Sequence, residues 1–173
     1  MNLSAEEIKR LLSLQPHPTC GFVAETYRSS MQNPVDGLPS SYESERPWGS
    51  ALYFLVTPDA QIALHRIRSD QLYHHYFGDP LDVLMLFPDG TDALVTIGDD
   101  LQAGQRSQLL IPGGTFHISR LRATAGHALL ASTEWPGVEP ADVEHGNVEA
   151  LSASFPHAAP LLREFVGSHS PQS

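Results

Sequence analysis

From Ser50 onward the chain is a succession of short apolar or alternating runs: Ala51–Thr57, Ile62–Arg68, Gln71–Phe77, Leu81–Phe87, Ala93–Ile97, Ser107–Ile111, Thr115–Arg122 and His127–Trp135. Turn residues separate them, among them Thr57-Pro58-Asp59, Gly78-Asp79-Pro80, Pro88-Asp89-Gly90, Pro112-Gly113-Gly114 and Thr124-Ala125-Gly126. Strands at this regular spacing predict a sandwich or barrel. An earlier run, Phe22–Arg28, is rich in β-formers and adds one more strand. Before it, Ser4 and Glu7 have the spacing of a capping box, and Ile8, Leu11 and Leu12 then fall on one face of a short helix. The polar stretch from Met31 to Pro47, with Gly37 and several serines, is expected to be a long surface loop. Val148–Ser152 and Pro160–Val166 predict two short helices that close one face. The expected organisation is one domain over 1–173, with a core barrel over about 20–146, a helical segment over 147–166 and a frayed tail over 167–173.

Composition narrows the partners. The chain has 173 residues, 41% of them hydrophobic, which is enough for one sizeable core. Fourteen prolines and 13 glycines suit many turns better than a helical bundle. Ten basic residues against 20 acidic ones leave a net charge of −10, and a field of that sign repels nucleic-acid phosphates and anionic lipid alike. No apolar run approaches the roughly 20 residues that cross a bilayer, and the N-terminal residues are acidic where a secretory signal would be basic and then apolar. Cys20 is alone, so no internal disulfide can form. A cytoplasmic location is the expectation.

The chemistry rests on strand phase. In Ile62–Arg68, Ala63, His65 and Ile67 share one face, and Leu64, Arg66 and Arg68 the other. In the next run Gln71, Tyr73, His75 and Phe77 share a phase that His74 does not. His65, His74, His75 and His117 all fall on strands that a barrel brings together. Glu25 and Arg28 sit on the first strand, either as an ion pair or as ligand contacts, while Tyr53 and Tyr73 are either core residues with satisfied hydroxyls or cavity residues.

The segment His65-…-Gln71-…-Gly78, followed by Gly104-…-Pro112-Gly113-Gly114-Thr115-Phe116-His117, resembles the two sequence motifs of the cupin superfamily. Gly21-Phe22-Val23-Ala24-Glu25-Thr26-Tyr27-Arg28, Ser69-Asp70-Gln71-Leu72-Tyr73-His74-His75-Tyr76 and Trp135-Pro136-Gly137-Val138 are similar to the subfamily known as domain of unknown function 985. The resemblance implies an all-β fold: a cupin-type jelly-roll barrel, paired into a homodimer, with a central pocket and a general likeness to deoxysugar-nucleotide epimerases. It implies no agreed reaction. Metal-binding cupins place His-x-His and a Glu in the first motif and a further His in the second. Here Ala63 and Ile67 flank His65 at that spacing and Gln71 holds the Glu position, so only His65 and His117 remain as ordinary ligands.

The expected cofactor is therefore none. The leading reading is a metal-independent acid–base enzyme acting on a small, carbonyl-containing metabolite or a sugar nucleotide. His65 would be its base, His117 or Tyr73 its acid, and Arg28 the anchor of an anionic group. Glu25, Arg28, Tyr53, Gln71 and His75 are the candidate ligand contacts. A non-enzymatic binding module and a metal-dependent enzyme using His65, His75 and His117 stay open as alternatives.

Overall fold

The computed structural model describes residues 3–123 and 125–168. Its elements run α1 (Ala5–Leu11), β1 (Gln15–His17), β2 (Gly21–Arg28), β3 (Gln32–Asn33), β4 (Arg46–Pro47), β5 (Ser50–Val56), β6 (Ile62–Arg66), β7 (Asp70–Gly78) and β8 (Leu81–Leu86). There follow β9 (Asp92–Ile97), β10 (Gln108–Ile111), β11 (Phe116–Leu121), β12 (Ala128–Trp135), β13 (Glu144–His145), α2 (Val148–Ser154) and α3 (Ala159–Ser168). Every predicted strand is present within a residue or two of its expected ends. Thr124 and the tail from residue 169 lie outside the described residues, and α3 carries the helical segment two residues past its expected end.

The strands form two main antiparallel sheets, one of six strands in the order β1-β2-β5-β12-β7-β10 and one of five in the order β13-β6-β11-β8-β9. Apolar residues from both inner faces, including Phe54, Ile62, Tyr73, Val83, Met85 and Leu130, make the interior cluster. Two further clusters lie on the outer faces. Leu84, Leu86 and Ile118 pack beneath α2 and α3 through Leu151, Leu162 and Phe165, while Leu55 and Leu129 pack beneath α1 through Ile8. This second covering explains why β8 is buried along its whole length: Val83 and Met85 face the barrel, Leu84 and Leu86 the helices. The result is a cupin jelly roll.

Local chemistry sets the element ends. The Ser4–Glu7 capping box forms as the spacing predicts, with Ser4 N donating to Glu7 Oε2 at 2.9 Å and Glu7 N donating to Ser4 Oγ at 3.3 Å. Leu11 departs from expectation. It is 55% exposed, because the helix ends there and only Ile8 of its apolar stripe is buried. Gly78 closes β7 with φ +102, where a Cβ would collide with the His127 carbonyl oxygen. The loop from Met31 to Pro47 is not a free surface loop: β3 and β4 pair within it, and Tyr42 and Arg46 are buried. No helix of the described residues is long and apolar enough to cross a membrane.

Candidate functional site

A cavity of about 410 Å³ opens between the two sheets. Strand register builds its wall in rows across the six-stranded sheet. In one row Arg28, Ser50, Glu134 and Gln71 stand opposite one another on β2, β5, β12 and β7, with Arg28 at the exposed mouth and Glu134 and Gln71 buried. The next row is Glu25, Leu52, Ser132 and Tyr73, and beneath it lie Val23, Phe54 and Leu130.

Glu25 and Arg28 are three residues apart, so a regular strand would point them to opposite faces. A register shift between Glu25 and Tyr27 inserts one extra residue into β2 and restores the phase. Both side chains then line the cavity, and Arg28 Nη2 donates to Glu25 Oε2 at 2.7 Å while Nη1 donates to Glu139 Oε1 at 2.9 Å. Nε also donates to Glu25 and Nη2 to the Val138 carbonyl.

The five-stranded sheet supplies the facing wall. His145, His65 and His117 stand opposite one another on β13, β6 and β11. His65 is 2% exposed, and its Nδ1 donates to the Ala63 carbonyl at 2.7 Å. That bond fixes the neutral tautomer and leaves the Nε2 lone pair without a protein partner. Burial lowers the His65 pKa to about 4; the Ala63 bond opposes this, and the neighbouring His145 and His17 add to it. His17, from β1, accepts from the Thr19 amide through Nδ1 at 3.3 Å, and burial lowers its pKa as well. Glu134 is 4% exposed and accepts from Ser50 Oγ at 2.6 Å; burial raises its carboxyl pKa, with the Ser132 and Ser50 hydroxyls opposing. Cys20 also lines the cavity, but burial raises its thiol to about 11, so it stays protonated and unreactive.

Of the residues singled out in the sequence, His65, Tyr73, Gln71, Glu25 and Arg28 meet at this cavity. His117 does not line it. Wholly buried behind the wall, it lies with its ring 4.3 Å from that of His65 and its Nε2 3.0 Å from the Tyr73 hydroxyl. Burial, reinforced by His65, drives its pKa well below the ordinary value, and burial pushes the Tyr73 phenol well above its own. His117, outside the lining, is not placed to exchange protons with a cavity ligand, while Tyr73 lines the cavity with its hydroxyl engaged by His117. Tyr53 takes the outer phase of β5, where it packs near α1 and meets Tyr76 edge-on at 5.8 Å. His75 is in phase with Gln71 and Tyr73 but one row deeper, and its Nε2 lies 3.4 Å from the Asp79 carbonyl oxygen.

Glu134, Ser50, His17 and His145 were not singled out. Glu134 and Ser132 did carry a signal, since they are the polar residues of one phase in an otherwise apolar run. His145 carried none, because it reaches the cavity through a pairing distant in sequence, while His17 is brought in by the tight β1–β2 hairpin, opposite Gly21.

The fold raises the question of a metal. His65, His75 and His117 do not converge on a common point, and among the described residues no group of three His, Cys, Asp or Glu side chains is arranged to hold an ion. Gln71, a neutral amide, replaces the acidic ligand of the motif. The donor set present does not fit a divalent metal.

Two antiparallel sheets closing in this order around an internal cavity are the jelly-roll barrel of a cupin. The family Cupin_5, described as Cupin superfamily (DUF985), matches residues 6–146, and the chain belongs to it. It is similar to uncharacterized protein YML079W of Saccharomyces cerevisiae, 29% identical over 110 residues that cover 61% of this chain and 55% of that one. The chain thus matches about half the length of that curated relative. Among solved structures it is similar to a hypothetical protein from Leishmania major, with TM-score 0.82 and 25% identity over 94% of this chain and 98% of that one. It is also similar to protein SO0799 from Shewanella oneidensis, with TM-score 0.81 and 28% identity over 95% and 98% of the two chains.

Proposed function

We propose that this cupin binds a small polar metabolite inside its barrel without a metal. One observation carries the reading: His65 Nε2 and the Gln71 side-chain amide belong to residues only 2% and 5% exposed, line the cavity, and have no hydrogen-bond partner in the protein. Both groups face the open space of the cavity, so a molecule that enters can pair with each, at about 0.5–1.5 kcal/mol per hydrogen bond. A cavity of about 410 Å³ suits a molecule of metabolite size.

Native mass spectrometry of the purified protein, after exposure to a metabolite extract, tests this directly. A one-to-one adduct that the doubly substituted His65→Ala, Gln71→Ala protein loses, while keeping its circular dichroism, is the expected result. An adduct unaffected by those substitutions sinks the assignment.

A catalytic reading is favoured by one further feature, the placement of Glu134 on the sheet that faces His65. His65 then removes a proton from the bound molecule through Nε2 and returns it, and the Glu134 carboxylate offsets the imidazolium formed between the two steps. Magnitude ranks this second. A fall from 6.5 to about 4 sets about 3 kcal/mol against the imidazolium in the protein alone, so His65 is first an acceptor and only then a base. Incorporation of solvent deuterium into the bound molecule separates the enzyme from the binding module.

A further inference from the structure

We propose that the molecule held in this cavity carries a protonated amine, bound by Glu134, and is not an anion such as a sugar phosphate. The inference rests on the binding reading above and names its ligand class. Hydrogen-bond polarity is its first support. With Nδ1–H committed to the Ala63 carbonyl, His65 offers the cavity only a lone pair. Glu134 offers carboxylate oxygen: Ser50 Oγ already donates to it, and the Ser132 hydroxyl beside it also holds its pKa down. Gln71, the unpartnered amide beside Glu134 in the same row, can serve either way. The buried end of the polar wall therefore seeks donors, and an ammonium group brings three.

Charge is the second support, and it is independent of the first. Arg28 is the only lysine or arginine among the described residues lining the cavity, and its guanidinium is already occupied by Glu25, Glu139 and the Val138 carbonyl. It lacks the free pair of N–H groups that would grip a phosphate. With Glu25, Glu139 and Glu134 set against it, the lining carries excess negative charge. An anion entering this mouth meets repulsion at each of those carboxylates and no unspent cation.

The test uses three hexoses of one scaffold, glucosamine, glucose and glucose 1-phosphate, titrated into the whole protein by ligand-observed NMR. The expected order is glucosamine tightest, glucose weaker and glucose 1-phosphate without saturable binding. Glu134→Gln should weaken glucosamine tenfold or more, about 1.4 kcal/mol, and leave glucose within twofold. Glu149→Gln makes the same change of charge on the exposed first turn of α2 and should alter neither. Binding of glucose or glucose 1-phosphate equal to or tighter than glucosamine, lost on Gln71→Ala, overturns the amine and keeps the cavity. Absence of binding by all three overturns the amine for any molecule of hexose size, and the metabolite-extract adduct then judges the cavity by itself.

Discussion

Arg46 and Asp142 form a two-pronged ion pair out of reach of water, Nε to Oδ2 at 2.7 Å and Nη2 to Oδ1 at 2.8 Å, with side chains 3% and 0% exposed. It ties the 31–47 loop to the segment before β13, which carries Glu139 and His145 to the cavity. Removing Arg46 leaves the buried Asp142 carboxylate with only Arg68, 3.8 Å away, and the Glu139 amide, so Arg46→Leu should lower the unfolding free energy by about 3 kcal/mol. The double substitution Arg46→Leu, Asp142→Leu should recover part of that loss. Burial alone would raise the Asp142 carboxyl, but Arg46 and the Glu139 amide outweigh it and the net shift from 3.8 is downward. The pair's stability is thus present above pH 3.8 and is lost as pH falls through the lower folded value. Urea unfolding of the three proteins checks these expectations.

His65 predicts a second acid sensitivity at higher pH. The unfolded chain binds this proton at about 6.5, the folded protein only at about 4, so between those values the unfolded state holds more protons. Stability should fall as pH is lowered across that window, by up to about 3 kcal/mol from this residue. His65→Gln should flatten the profile between pH 6.5 and 4 by one proton's worth of slope. An unchanged slope in unfolding measurements across the window counts against a neutral, buried His65.

Tyr73→Phe keeps the ring in the cavity wall and removes the hydroxyl partner of His117 Nε2. A buried nitrogen left unpaired should lower the unfolding free energy by about 1–3 kcal/mol. Ligand occupancy, read by native mass spectrometry, should stay near that of the parent protein. A loss of occupancy at unchanged stability would instead make the Tyr73 hydroxyl a direct contact.

Pairing of two chains is a further expectation. Tyr27, Trp48 and Trp135 are 58%, 52% and 52% exposed around the outer end of the six-stranded sheet, a concentration of aromatic surface that association would cover. Light scattering should give about twice the 18.9 kDa chain mass. The double substitution Tyr27→Glu, Trp48→Glu should return it to one chain. A parent protein of single-chain mass at micromolar concentration argues against the pairing.

The strands were legible in the sequence because the alternation and the turn residues agree, and neither depends on distant contacts. His65, Gln71 and Tyr73 were placed correctly because one phase of two adjacent runs faces inward. The same reasoning misplaced Tyr53, and the cause is specific: α1 covers the outer face of β5, so Leu55 outside and Phe54 inside are both buried, and composition does not tell the faces apart. His117 shares a row with His65 but sits behind Tyr73, a difference of depth that no pattern along one strand records. Glu25 and Arg28 reach the same face only through one inserted residue, and nothing local in Glu25-Thr26-Tyr27-Arg28 announces it.

The graded rows of the six-stranded wall give the cavity a sense of direction. Arg28, Glu134 and Gln71 stand in one row of it, and Val23 and Phe54 two rows further along the strands. A guest with one oily and one hydrophilic end can be seated only one way round. Its reversed pose would strand the hydrophilic end against Phe54 and the oily end among carboxylates, at a loss on both sides. The barrel therefore holds the hydrophilic end of such a guest against Glu134 and Gln71 and its oily end against Phe54.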